Sequence, residues 1–127
     1  MPQESRFRNL SPLDHRYYYS NRELFDRLAD HLSEDAVVAA CLRVEAALLT
    51  HLIPHLMGDD PRRDEYLEAV RTAVGSITAE EVYEEEETTH HNVRALVNVM
   101  QRRLPREIAH LVHLGATSVD ILDTAAA

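Results

Sequence analysis

Residues 33–58 read SEDAVVAACLRVEAALLTHLIPHLMG, and this stretch decides the fold class. Ser33 is a residue type that often caps helices, and the acidic Glu34 and Asp35 favour the positive end of a helix dipole. The apolar residues that follow form a stripe wide enough to indicate a well-buried helix; they are Val37, Val38, Cys41, Leu42, Val44, Ala47, Leu48 and Ile53. We expect Pro54 and Gly58 to end this helix.

Two further helices flank this stretch. Upstream, Ser20 or Asn21 can cap a first helix. Downstream, the spacing predicts a third helix over 63–74, closed by Gly75 and Ser76. The apolar positions that support the two helices are Leu24, Phe25, Leu28 and Leu32 in the first, and Leu67, Val70 and Val74 in the third.

The rest of the chain also predicts helices. Thr78 and Glu81 fit a capping box, and we expect the helix that follows to run to about Arg103. Pro105 breaks it and can begin a short helix ending at His110, and a last helix starts at Thr117 or Ser118. Because the chain has only 3 glycines and few β-branched clusters, it is predicted to be all-α.

The length of 127 residues suits one domain. We expect an extended arm over 1–20, a helical domain over 21–116 and the start of a further helix over 117–127. That last helix would have only about two turns, which suggests that the chain is part of a larger enzyme.

Composition excludes some classes of partner. With 22 acidic and 13 basic residues, the net charge is −9, so we expect no nucleic-acid partner. A small anionic ligand is still compatible with a locally positive site. The single cysteine, Cys41, allows no internal disulfide and is interpreted as a buried, inert thiol, which favours a cytoplasmic setting. The N-terminus lacks a secretory signal pattern, and no uninterrupted apolar run reaches the ~20 residues of a membrane span.

Three polar clusters are candidates for binding or chemistry. Arg16 and Tyr17 combine a planar cation suited to phosphate with a ring suited to stacking. His90, His91 and Asn92 form a second cluster, in which a histidine can exchange protons near neutral pH. The third is His113 with Thr117 and Ser118, where the free N–H groups of a helix start can bind an anion. Surface packing, ordinary surface histidines and simple capping are the alternative interpretations of the three clusters.

The sequence contains only a weak pattern for a metal site. Glu87 and His90, and likewise Glu107 and His110, have the Glu-x-x-His spacing of di-iron carboxylate bundles. The second pair lies in a segment too short for a bundle helix, so no metal or other cofactor is predicted. The acidic run 84–87 is interpreted as a solvated helix face, from which one member could turn inward to meet a histidine or an arginine.

Four blocks in order resemble the N-terminal domain of the adenylosuccinate lyases, in the fumarase/aspartase superfamily. They read SPLDHRY at 11–17, RVEAAL at 43–48, THHNVRALV at 89–97 and HLGATSVDILDTA at 113–125. The last block is the most specific. The resemblance covers nearly the whole chain and implies an all-α lyase domain that ends before the family's central helical bundle.

The resemblance also implies an activity. Such enzymes eliminate fumarate from adenylosuccinate to give AMP, and they cleave the succinyl-carboxamide nucleotide of purine biosynthesis. By similarity, Arg16, Tyr17 and His113 match residues near the nucleotide phosphate, while His90, His91 and Asn92 lie beside the succinyl group. His91 is the catalytic candidate, orienting or polarising the substrate. Thr117 and Ser118 match the pair that binds a substrate carboxylate.

The resemblance leaves two gaps. Asn92 stands where many members carry aspartate, so the charge beside His91 is lost. The family's general acid and its loop serine fall outside this chain, as does the bundle that assembles a homotetramer, so the isolated chain is expected to be inactive. An argininosuccinate lyase-like enzyme and a non-catalytic helical interaction domain are the alternative functions.

Overall fold

A computed structural model describes residues 6–8, 10 and 17–127, with Arg6 described by its backbone alone. In these residues it has helices and no strand, which confirms the all-α prediction for the described part. A 3₁₀ turn at Arg6–Arg8 is followed by seven α-helices; they are α1 Arg22–Leu32, α2 Glu34–Met57, α3 Arg63–Ser76, α4 Ala79–Thr89, α5 Asn92–Arg102, α6 Arg106–Ala109 and α7 Ser118–Ala126. Most of the predicted arm, including Arg16, lies outside the described residues.

Helix α2 begins as its sequence predicts. The Ser33 hydroxyl accepts a hydrogen bond from the Ala36 N–H at 3.3 Å and donates one to the Ala29 carbonyl at 2.6 Å. Ser33 is wholly buried, so it closes α1 and opens α2 without an intervening loop. The chain leaves the helix at Gly58, whose φ of 57° suits glycine.

The prediction that Pro54 helps to end α2 is wrong. The helix continues through Pro54 to Met57. Proline removes one backbone hydrogen bond, the one that would go to the carbonyl of the residue four earlier. That residue is Thr50, which is exposed, so water can satisfy its carbonyl.

Helix α2 is the centre of the fold. It packs against α1, α3, α4, α5 and α7, and also against the turn at Arg6–Arg8. Its residues Leu49 and Ile53 have no exposed surface, and Leu42 has 1%. The largest fully buried side chains that other helices contribute to this core are Tyr66, Val70, Val97, Met100, Ile108 and Ile121. The prediction of a well-buried helix holds for one face of α2 only, because apolar residues also occur outside that face: Val37 is 41% exposed and Leu56 is 55% exposed.

The long fourth helix predicted from Thr78 to Arg103 is wrong, because the structure divides it into α4 and α5. His90 has a left-handed φ of 51° and His91 is extended, with φ −153° and ψ 117°. Two consecutive non-helical residues let the chain turn, and α5 then packs back along α4. The break places the predicted histidine cluster at a helix junction instead of on a helix face.

The acidic run was interpreted correctly. Glu84 and Glu87 are exposed, whereas the Glu85 side chain is 13% exposed and faces α5. Its two oxygens accept hydrogen bonds from the Asn98 amide at 2.7 Å and from Arg102 at 2.6 Å. One member of the run therefore turns inward to an arginine and ties α4 to α5.

Thr78→Ala is expected to lower the free energy of unfolding by about 1 kcal/mol. The Thr78 hydroxyl accepts the Glu81 N–H at 3.2 Å, and the Glu81 carboxylate accepts the Thr78 N–H at 3.0 Å, so the predicted capping box is present. Urea denaturation would measure the loss. The control is Thr72→Ala on the exposed surface of α3, which removes the same atoms without a cap. Equal effects of the two substitutions would contradict the capping role.

One segment satisfies a composition test for a membrane span. Within residues 22–57, an 18-residue window has a mean hydropathy of 1.8, and 33% of that window is buried within the fold. Core helices pass the same test, so the finding is weak support for membrane insertion. The expected absence of a membrane partner stays a prediction.

Candidate functional site at the start of helix α7

His91 lies at the start of α5, where it acts as the N-cap. Its Nδ1 atom accepts a hydrogen bond from the backbone N–H of Arg94 at 3.2 Å. A neutral imidazole whose Nδ1 is an acceptor carries its hydrogen on Nε2. The cap therefore selects the tautomer of His91 and leaves Nε2 as a donor on an exposed side chain.

The other two residues of this cluster have mainly local contacts. His90 is exposed and ends α4, with its N–H donating to the Glu86 carbonyl at 2.8 Å. The Asn92 side-chain oxygen accepts the N–H of Val93 at 2.7 Å. An aspartate would make the same contact with a full charge, so asparagine preserves the local geometry and removes the negative charge beside His91.

The third predicted cluster lies where α7 begins. Thr117 is the N-cap and Ser118 the first helical residue. The Asp120 carboxylate accepts the Thr117 N–H at 2.8 Å, which holds the chain at the entry to the helix. The Thr117 side chain is exposed and that of Ser118 is partly exposed, so both hydroxyls are accessible to a ligand.

The fold brings these two clusters together. The Nε2 atom of His91 lies 3.5 Å from the Oγ atom of Ser118, although the residues are 27 positions apart. With its hydrogen on Nε2, His91 points a donor at the serine oxygen. The distance is long for a hydrogen bond. A ligand oxygen between the two side chains would find an imidazole N–H, a hydroxyl and the free N–H groups of α7.

His113 lies just before α7, and its partner is a residue that the sequence interpretation did not select. Its Nδ1 atom is 2.5 Å from Oε1 of Glu45, across 68 positions of sequence. Glu45 is wholly buried in α2, and the His113 side chain is 22% exposed. His113 has a left-handed φ of 65°, a conformation that is uncommon for residues other than glycine.

Glu45 could have been noticed from one signal in the sequence. It interrupts the apolar stripe of α2, between Val44 and Ala46, and an acid on a buried face needs a partner. Burial raises the pKa of its carboxyl above the ordinary 4.5, while the contact with His113 opposes that rise. The sequence does not indicate that the partner is His113, because the two residues are 68 positions apart.

Glu45→Gln is expected to gain stability relative to the native chain as the pH rises from about 4 to about 7. The folded-state pKa of Glu45 is raised, so its contribution to stability is complete below the unfolded value of 4.5 and is lost as the pH rises through the folded value. Glutamine does not ionise and has no such loss. The groups that act electrostatically on Glu45 or respond to it are His113 and the Cys41 thiol.

Urea denaturation of both proteins at the two pH values measures this difference. Glu84→Gln, at an exposed position on α4, is the matched control and should show no comparable trend. A difference between Glu45→Gln and the native chain that stays constant with pH would refute the prediction.

The remaining predictions concern the arm, the thiol and metals. Arg16 lies outside the described residues. Tyr17 is 58% exposed, and its carbonyl accepts the hydroxyl of Ser20 at 2.8 Å. Cys41 is buried as predicted, and burial raises the pKa of its thiol, which disfavours the reactive thiolate. Within the described part, no three histidine, cysteine, aspartate or glutamate side chains are grouped so as to hold a metal ion.

Comparisons with protein-family models, curated proteins and solved structures found no match to this chain. The arrangement at the start of α7 is therefore interpreted from its own geometry and from the four sequence blocks. There the fold brings together the Nε2 atom of His91 and the Oγ atom of Ser118, beside the N-terminal N–H groups of α7.

Proposed function

We propose that this chain is the N-terminal part of an adenylosuccinate lyase, which eliminates fumarate from adenylosuccinate to give AMP and cleaves the related succinyl-carboxamide nucleotide. Residues His91 and Ser118 carry the proposal. They come from two of the four blocks on which the resemblance rests, and their side chains lie 3.5 Å apart.

The chemistry of the elimination explains what such an arrangement is for. A base removes a proton beside a carboxylate of the succinyl group, and negative charge accumulates on that carboxylate in the transition state. Donors fixed around the developing charge account for a large part of the rate in reactions of this kind. Thr117, Ser118 and the free N–H groups of α7 would bind the carboxylate, and the His91 Nε2–H would orient or polarise it.

His113, Arg16 and Tyr17 are assigned to the nucleotide side of the substrate by resemblance. His90 and Asn92 are assigned to the surroundings of the succinyl group on the same basis. The exposed position of His90 and the local hydrogen bond of Asn92 are compatible with roles in binding. We assign no metal and no cofactor to the reaction.

The full enzyme in this proposal is a cytoplasmic homotetramer. The general acid and the loop serine of the family have no counterpart among the four blocks. The described chain supplies binding groups and therefore needs other segments for turnover. On its own it is expected to release no measurable fumarate.

The test is fumarate release by the product of the complete open reading frame that contains this chain. Adenylosuccinate and argininosuccinate are supplied in parallel assays. Activity on adenylosuccinate is the expected result. Activity on argininosuccinate alone would move the chain to the other lyase, and a folded protein inactive on both would favour a helical interaction domain.

A further inference from the structure

Glu45 is the only buried carboxylate in the described part of the chain. It has no exposed surface, and it lies on the central helix α2 among apolar neighbours. A buried carboxylate is costly unless it is paired and hydrogen-bonded, and an apolar residue of similar volume is often as stable or more so. Stability alone gives no reason for an acid at this position.

The contacts of the carboxylate point to His113. Oε1 lies 2.5 Å from His113 Nδ1, and Oε2 is buried without a hydrogen-bond partner. With Oε2 unpaired, the polar interactions of this side chain are directed at His113, through its ring and its backbone. A group that serves mainly to stabilise the fold would be expected to have both oxygens satisfied.

The contact has a consequence for the imidazole ring. When a carboxylate accepts from Nδ1, the neutral ring carries its hydrogen on Nδ1, and Nε2 keeps a lone pair. Nε2 makes no hydrogen bond to any described residue, and the side chain retains 22% exposure while Nδ1 faces the interior. Nδ1 faces Glu45, which leaves Nε2 as the ring nitrogen available to a ligand, close in sequence to Thr117 and Ser118.

The two histidines then differ in tautomer. His91 accepts at Nδ1 from a backbone N–H and donates from Nε2, whereas His113 beside an ionised Glu45 donates from Nδ1 and keeps a lone pair on Nε2. An unconstrained pair of surface histidines would have no reason to hold opposite tautomers. With its hydrogen on Nδ1, His113 would supply an imidazole acceptor where His91 supplies a donor.

We infer that Glu45 is a positioning residue for the site, which holds the His113 ring in the Nδ1–H tautomer and presents Nε2 to the substrate. This inference rests on the proposed function for the identity of the substrate, a succinyl nucleotide. The tautomer itself does not depend on that identity. An acceptor at Nε2 suits a ribose hydroxyl or a protonated phosphate oxygen.

The tautomer is measured by long-range proton–nitrogen NMR on the chain with ¹⁵N-labelled histidine. The signals of His113 are assigned by their loss in His113→Asn. We expect the native His113 to carry its hydrogen on Nδ1 and His91 to carry it on Nε2. An Nε2–H tautomer for native His113 would overturn the inference, and this measurement needs no substitution at Glu45.

Two substitutions test whether Glu45 determines the tautomer of His113. Glu45→Leu removes the acceptor at similar volume and should shift the hydrogen of His113 to Nε2. Glu45→Gln keeps a carbonyl acceptor and should retain the Nδ1–H form. His91 serves as the internal control, because its tautomer should stay the same in both variants. No change at His113 in a folded Glu45→Leu protein would refute the role of Glu45.

The same variants in the complete enzyme connect the tautomer to turnover. Glu45→Leu is expected to lower kcat/KM for adenylosuccinate about tenfold, and Glu45→Gln to restore part of it, by analogy with other residues that orient a functional histidine. If the complete protein is inactive but both histidines have the expected tautomers, the proposed lyase activity is rejected and the role of Glu45 in holding the His113 ring is retained. An active parent whose kcat/KM is unchanged in Glu45→Leu would reject the presentation of Nε2 to substrate.

Discussion

In the complete enzyme, His91→Ala and Ser118→Ala should each lower kcat/KM for adenylosuccinate about 100-fold or more, the usual effect of removing a donor from a developing oxyanion. The two side chains lie 3.5 Å apart where the free N–H groups of α7 begin, so both can reach the same substrate oxygen. Steady-state fumarate release gives the result directly. Because the interaction is proposed to strengthen in the transition state, kcat should fall along with kcat/KM.

Matched controls are available in the chain. His31→Ala removes an exposed histidine on α1, and Thr50→Ala removes an exposed hydroxyl on α2. Both should leave the rate within a factor of about two, because surface changes away from a site have small effects. The double variant His91→Ala/Ser118→Ala should lose less than the product of the single losses, since residues in contact are not independent. Activity close to that of the native enzyme in either single variant would remove these residues from the site.

Leu49→Ala should lower the free energy of unfolding by about 3 kcal/mol, within the usual range of about 2–5 kcal/mol for such a truncation in a packed core. Leu49 has no exposed surface and lies on the helix that packs against five others. The surrounding helices cannot all move to fill the space, so much of the cavity should remain. Urea denaturation at constant pH measures the change from the midpoint and slope.

Leu56→Ala is the control for this substitution. Leu56 is near the end of the same helix and is 55% exposed, so the change should cost less than about 0.5 kcal/mol. Similar losses for the two substitutions would show that α2 is not the centre of the core. Leu49 lies one helical turn after Glu45 on the same buried face of α2, so the two substitutions are compared by stability alone.

The helices were predictable where sequence and tertiary structure agree. Ser33, Thr78 and Thr117 begin helices as their side chains favour, and Gly58 ends one with a positive φ. The division between α4 and α5 was missed because the cap is His91, which is not among the usual N-cap residues. Its preceding residue, His90, adopts a left-handed conformation that its sequence does not require.

The residues of the candidate site could be selected from the sequence, whereas their arrangement could not. His91, His113, Thr117 and Ser118 were selected from local patterns, and the polar character of each segment was sufficient for that. The contact of His91 with Ser118 and that of His113 with Glu45 depend on how α5, α7 and α2 pack. Local spacing carries no information about such pairs, because packing determines which distant segments meet.

The pairing of Glu45 with His113 closes a chain segment of 68 residues. Bringing distant segments together has a cost in loop-closure entropy, which is absent when an isolated helix forms. Contacts between residues far apart in sequence also slow folding. The helical hairpin of α4 and α5 can form early from neighbouring residues, but it holds only the His91 half of the site. In the proposed lyase, the site is therefore complete only when α7 has docked on α2.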